Sequence, residues 1–310
     1  MVGLKGKDII SVSDFDNSEI WTILKSIKKL KPVAPGGAQA RILDGKVIGL
    51  LFEHPSTRTR VSFESAAMRL GANVVYMRPD ELQLKRGEPI RDTARVLSGY
   101  FDALVYRTSS HETLLDLSEH ASIPIINALS SLEHPTQAIS DLAAIEEAKG
   151  SLEGLKMCWV GDGDNVCHSL MFACSTVGMN MAVATPPNYQ PNPEIARKAN
   201  EIAQKNNTKI RYTDDPYEAA EEADILYTDV WISMGQDAEK EQRMMDFQEY
   251  QVNDELVSHA KPDAIVMHCL PAHRGMEITD EVLEGPKSIA WAQAQYKFHG
   301  AKGILASILS

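Results

Sequence analysis

Residues Lys46–Met77 read KVIGLLFEHPSTRTRVSFESAAMRLGANVVYM. Lys46–Phe52 is an apolar, β-branched run of strand length, Arg60–Leu70 carries a helical pattern behind Ser/Thr capping residues, and Asn73–Met77 returns to strand character. A strand, a helix and a second strand in so short a span form a βαβ unit, whose crossover makes the two strands parallel.

The alternation continues outward. Ala103–Tyr106, Ile123–Ile126, Met157–Val160, Met181–Ala184, Lys209–Tyr212, Ile225–Tyr227 and Ile265–His268 are further strand candidates. Ser18–Leu30 is amphipathic and can be capped by Asp16 or Ser18, and Pro135–Lys149 opens with Pro-Thr and stops at Gly150, a start and stop pair. At about 150 residues per domain, 310 residues fit two domains. The expected class is α/β, two doubly wound parallel-sheet domains linked by helices, with boundaries at 1–133, a linking helix at 134–150, and 151–291. Met234–Asp254 (MGQDAEKEQRMMDFQEYQVND) is highly charged without strand character, so a long surface loop with a short helix, of the kind that serves as a lid, is expected there.

Lys and Arg number 31 against 43 Asp and Glu, for a net charge of -12. Such a surface repels nucleic acid and anionic membrane, so neither is an expected partner, and arginines gathered at one spot become informative. The four cysteines, Cys158, Cys167, Cys174 and Cys269, form no CxxC pair, which argues against a disulfide framework or zinc ribbon and for a reducing compartment. With no signal-like N-terminus and no apolar run near the roughly 18 residues of a membrane span, a cytoplasmic location is expected.

Phe52–Glu64 (FEHPSTRTRVSFE) sets Ser56, Thr57, Arg58, Thr59 and Arg60 at a strand end and helix start. Hydroxyls, guanidinium groups and free helix N–H groups in one turn make an oxyanion or phosphate site. The plainer alternative is a capped helix with solvated arginines, but cations in a first turn oppose the helix dipole. Glu133–Gln137 (EHPTQ) again precedes a helix, and His134, Thr136 and Gln137 suit a polarised carbonyl, although a surface His before a helix is common. In DVWISMG, Asp229 stands at the end of a strand, where α/β ligands bind, and could hold an amine. HCLPAHRG offers Cys269 as a polar or nucleophilic contact. Its His268 and His273 lack a third ligand at metal-binding spacing, so no metal is expected. WVGDGDNVCHSL has Val166 where a dinucleotide turn needs Gly, which excludes a nicotinamide role.

STRTR, HPTQ, DVWISMG and HCLPAHRG, in that order, resemble the transcarbamoylase family over essentially the whole chain, Leu82–Arg107 (LQLKRGEPIRDTARVLSGYFDALVYR) included, and the last two motifs point to its ornithine-using branch. The resemblance implies attack of the ornithine side-chain amine on carbamoyl phosphate, giving citrulline and phosphate in arginine metabolism, without metal or organic cofactor. It makes 1–133, completed by a C-terminal helix at about 292–310, the carbamoyl-phosphate domain and 151–291 the ornithine domain. It puts the phosphate on Ser56, Thr57, Arg58 and Thr59, with Arg107 bridging to the carbonyl, and His134 and Gln137 on the carbamoyl group. Asn165, Asp229, Ser233 and Met234 surround the amino-acid end of ornithine, and Cys269 and Leu270 lie near the reacting amine. Arg58, Arg107, His134 and Cys269 would carry catalysis. A homotrimer is implied, with Gln83 contributed by the neighbouring subunit. Two positions depart from the family pattern: His54 stands where Lys is frequent, and Lys297 stands where the family has a phosphate-binding arginine. Putrescine, acylated ornithine and aspartate remain alternative substrates, and a non-catalytic binding protein the alternative of another class.

Overall fold

The computed structural model describes residues 3–233 and 236–310, the side chains of Lys85 and Asp237 excepted. The chain divides into two compact units, Met1–Ala143 with Gln295–Ser310, and Ala144–Ala294.

The first unit runs α1 (Asn17–Leu30), β1 (Val47–Phe52), α2 (Thr57–Arg69), β2 (Asn73–Met77), α3 (Ile90–Ser98), β3 (Ala103–Arg107), α4 (His111–His120), β4 (Ile125–Leu129) and the start of α5 (Pro135–Lys149). Its sheet is parallel in the order β2-β1-β3-β4. Central β3 is buried at all five positions, as a strand covered on both faces must be, whereas edge strand β2 alternates. Two expected elements of this unit shift by more than one residue. The strand expected at Ile123–Ile126 is Ile125–Leu129, because Pro124 has no N–H to give the ladder; its carbonyl accepts from Leu104 N instead. The helix expected from Arg60 starts at Thr57, with Ser56 as N-cap, so Thr57, Arg58 and Thr59 form its first turn.

The second unit takes the rest of α5 and continues with β5 (Lys156–Val160), α6 (Asn165–Val177), β6 (Asn180–Ala184), α7 (Pro193–Lys205), β7 (Ile210–Thr213), α8 (Pro216–Ala220), β8 (Ile225–Thr228), α9 (Lys240–Asp246), α10 (Asp254–His259), β9 (Ile265–His268) and α11 (Asp280–Leu283). Its parallel sheet has the order β7-β6-β5-β8-β9. The segment expected as a charged surface loop has apolar anchors: Phe247 is wholly buried, Tyr250 nearly so, and Phe247 stacks on Trp231 at 5.9 Å between ring centroids. Arg243 on α9 is also buried, donating to the Trp231 carbonyl and pairing with Asp162. The high charge of the segment conceals these few interior positions.

The last helix, α12 (Ala290–Leu309), crosses from the second unit back to the first. Gly300 and Gly303 let it approach closely: a Cβ on Gly300 would come 1.9 Å from Ser140 Oγ on α5, and one on Gly303 2.2 Å from Ile27 on α1. Lys302, without solvent exposure, donates to the carbonyls of Leu30 and Val33 at the end of α1.

Candidate active site

In both sheets the strand order reverses once, between β1 and β3 in the first and between β5 and β8 in the second. Ligands of open α/β sheets bind beyond the carboxyl ends of the strands at such a switch point. The candidate residues divide between the two units.

In the first unit the turn after β1 leads into α2. Ser56 occupies the N-cap position without capping the helix; its hydroxyl instead lies 3.4 Å from a guanidinium nitrogen of Arg107, at the end of the neighbouring strand, where Phe52 pairs with Arg107. No acidic residue stands in the first turn of α2, so the free N–H groups of that turn have no acidic side chain of the same turn to offset them. Arg58 is half-buried and Thr59 buried. His134, Gln137 and Lys297 are buried together, although 163 residues separate Lys297 from His134. The Lys297 ammonium donates to Gln137 Oε1 and lies 3.4 Å from His134 Nε2, while Gln137 Nε2 donates to Asp141 at 2.8 Å. An ammonium only donates, so Nε2 is the acceptor and the ring proton sits on Nδ1, 3.4 Å from Thr136 Oγ1. Burial, and then the charges of Lys297 and Arg107, hold the His134 imidazole well below its usual range, so it is neutral at pH 7. Gln83 stands apart, exposed on a short turn, with Arg86 as its partner at 3.4 Å.

In the second unit, Asp229 follows β8 and accepts from the Val230 N–H at 2.8 Å. Burial pushes its carboxyl up, against the opposing pull of His268 and a hydrogen bond from Cys269. His268 ends β9 and is fixed from both sides: Nδ1 accepts from the Leu270 N–H at 2.9 Å, so Nε2 donates to Glu277 at 3.0 Å. Leu270 reaches it with φ +58, a left-handed conformation that costs a side-chain-bearing residue on the order of 1–3 kcal/mol. The histidine pair considered from sequence converges on one carboxylate, Glu277, which lies 3.0 Å from His268 Nε2 and 3.9 Å from His273 Nδ1. Asp229, His268 and Cys269 bring donor atoms within 4.8 Å of one another, a set that could hold a metal and that the hydrogen bonds to Glu277, Leu270 and Val230 also account for. Asn165 begins α6, and Ser233 donates to Asp164 Oδ2 at 3.3 Å. Met234 lies outside the described residues.

Asp164 was not singled out from sequence. An Asp in GDGDN reads as an ordinary N-cap, and only its failure to cap α6 marks it.

The carbamoyl-P binding domain of the aspartate/ornithine carbamoyltransferase family matches residues 7–147, and the Asp/Orn binding domain of the same family matches 153–308. The ornithine carbamoyltransferase of Archaeoglobus fulgidus is 50% identical over 303 residues, covering 98% of this chain and 97% of that protein. That of Pyrococcus abyssi is 47% identical over 309 residues, covering 100% and 98%. Among solved structures, the ornithine carbamoyltransferase of Pyrococcus furiosus superimposes with a TM-score of 0.96 at 46% identity, over 100% of this chain and 99% of that one. The enzyme of Gloeobacter violaceus superimposes with a TM-score of 0.89 at 43% identity, over 100% of both.

Proposed function

The chain belongs to the aspartate/ornithine carbamoyltransferase family, and from that premise we propose that it transfers the carbamoyl group of carbamoyl phosphate to the side-chain amine of L-ornithine, yielding L-citrulline and phosphate. The observation that carries the reading is the set of groups at the β1/β3 switch point of an acidic protein, where the N-terminus of α2, with Arg58 in its first turn, meets Arg107 through Ser56.

In this reading Ser56, Thr57, Arg58 and Thr59 bind the phosphate, Arg107 spans phosphate and carbonyl oxygen, and Lys297 supplies a further charge. His134 and Gln137 position the carbamoyl group. The amine's lone pair forms the C–N bond while the carbonyl π electrons move to oxygen. Collapse of that tetrahedral oxyanion expels phosphate, whose departing charge the same cations stabilise, and such fixed stabilisation is expected to lower the barrier most. An alkylammonium with a solution pKa near 10 is not nucleophilic, so the ornithine half-site must take up its proton. Cys269, hydrogen-bonded to Asp229, is the group assigned to that step, with Leu270 beside it and Asn165, Asp229, Ser233 and Met234 around the amino-acid end.

Carboxylates rather than cations in the second half-site oppose an acidic acceptor such as aspartate. Citrulline formation from ornithine and carbamoyl phosphate, with putrescine, N-acetylornithine and aspartate as parallel acceptors, tests the assignment; no product from ornithine would refute it.

The chain is further proposed to work in the biosynthetic direction, since a relative 46% identical is described as anabolic. No described helix is long and apolar enough to cross a membrane, which supports the cytoplasmic reading. A homotrimer is supported by exposed apolar side chains on the first unit, Ile42, Val61, Met68 and Val75, and by the exposed position of Gln83. Mixing inactive Arg58→Gly and Gln83→Ala chains should regenerate some complete sites if Gln83 serves a neighbouring subunit; no recovered activity in the hybrids counts against sharing.

A further inference from the structure

We propose that Asp164 is a second anionic contact for the amino-acid substrate, holding the α-ammonium of ornithine together with Asp229. The proposal rests on the reading above that this half-site takes ornithine.

β5 and β8 are neighbours at the switch point of their sheet, with Trp159 paired to Tyr227, so the turns leaving their carboxyl ends lie side by side. Asp164 is on the first turn and Asp229 on the second. The first turn is tightly placed: a Cβ on Gly163 would come 2.4 Å from Pro191 N, so only glycine fits there. Asp164 occupies the N-cap position of α6, where a carboxylate ordinarily accepts helix N–H groups, yet makes no capping bond of normal geometry. Oδ2 accepts from Ser233 Oγ at 3.3 Å, and Oδ1 is buried without a hydrogen-bond partner. A carboxylate oxygen in that condition needs a donor.

The donor it needs is a cation. Two neighbouring half-buried carboxyl groups disfavour each other's ionisation until a positive charge joins them. The groups that act on this pair are the Val166 N–H on Asp164 and the Val230 N–H on Asp229, the Ser233 hydroxyl from the loop after β8, the Cys167 thiol on α6, His268 and Cys269 at the end of β9, and Glu277 behind His268. Burial first, and Asp229 second, push the Asp164 carboxyl up to about 8, so near neutrality it holds a proton in the empty site. Ornithine brings two amines. The one that reacts must be neutral when it attacks, which leaves the α-ammonium as the lasting positive charge and as a three-donor partner for Asp164 Oδ1.

The test is a ligand-deletion cycle. Asp164→Asn keeps the shape and the bond to Ser233 but removes the charge. With saturating carbamoyl phosphate, the KM for L-ornithine should rise about ten-fold, by more than kcat falls, as for one lost charged contact. The inhibition constant of 5-aminopentanoate, the same molecule without the α-amine, should barely move. Equal weakening of both ligands, or of neither, overturns the proposal. Should the variant fail to fold, calorimetry on the parent protein in buffers of different ionisation enthalpy, with inorganic phosphate present, decides the matter: L-ornithine should release more protons at pH 7 than 5-aminopentanoate does, and equal release overturns the proposal. Failure of the underlying reading shows separately, as absence of citrulline formation by the parent.

Discussion

Lys297→Met separates what this side chain does for the fold from what it does for the ligand. Lys297 is 7% exposed, and its ammonium is bound to Gln137 Oε1 and 3.4 Å from His134 Nε2. Methionine fills a similar volume without charge. For stability two effects oppose: removing a buried ammonium relieves its dehydration, while Gln137 loses a donor, at about 1–3 kcal/mol. The net change in stability should therefore be small, within about 1–2 kcal/mol. For the ligand nothing compensates. A bound phosphate loses one charge-assisted hydrogen bond, about 1.5–3 kcal/mol, or about 10- to 150-fold in the KM for carbamoyl phosphate. Steady-state kinetics at saturating ornithine, beside thermal melts of parent and variant, measure both quantities. The variant also removes a positive charge that disfavours protonation of His134, so that imidazole should titrate higher than in the parent by NMR while burial and Arg107 still hold it low. Lys297→Arg keeps the charge and adds a planar fork; it should leave the ornithine KM unchanged and tighten carbamoyl phosphate by about 1 kcal/mol at most. A carbamoyl phosphate KM within two-fold of the parent in Lys297→Met would refute the reasoning and leave Lys297 a structural residue.

Arg58→Gly should nearly abolish turnover, through about 2–4 kcal/mol of lost transition-state stabilisation, with the fold intact because Arg58 lies in the half-buried first turn of α2; retention of more than about a tenth of parental turnover contradicts its role. Gly300→Ala would drive a Cβ to 1.9 Å from Ser140 Oγ and should cost about 1–3 kcal/mol, seen as a lower Tm that Ser140→Gly in the same chain partly restores. Lys302 supplies a pH signature: burial lowers its pKa from 10.5 to about 8. Between these values the unfolded chain holds a proton the folded one lacks, so this residue's contribution to stability rises as pH rises through the window. Urea denaturation of parent and Lys302→Met at pH 7.5 and 9.5 should show the steeper rise in the parent, and identical pH slopes would rule the effect out.

Much of the fold was legible because its signals are local. Continuous apolar runs such as Ile48–Phe52 and Ala103–Tyr106 announce strands covered on both faces, and Pro135 with Gly150 brackets α5 without help from any distant residue. The turn proposed to bind phosphate was legible as a helix start for the same reason, since Ser56, Thr57, Arg58 and Thr59 are contiguous and a helix N-terminus favours anions wherever it occurs. The strand order and everything depending on it was decided only in three dimensions. Arg107 faces Ser56 because β1 and β3 are neighbours, and Asp164 meets Ser233 and feels the charge of Asp229 because β5 and β8 are. Burial is likewise a property of the assembled chain: it keeps His134 neutral, brings Lys297 beside His134 from the last helix, and anchors a charged segment through Phe247 and Arg243. The sequence by itself determined which groups could bind an anion or an amine. Tertiary packing decided which of them lie together and in what protonation state, because dehydration and charge coupling act over a few ångströms of space, whatever the separation along the chain.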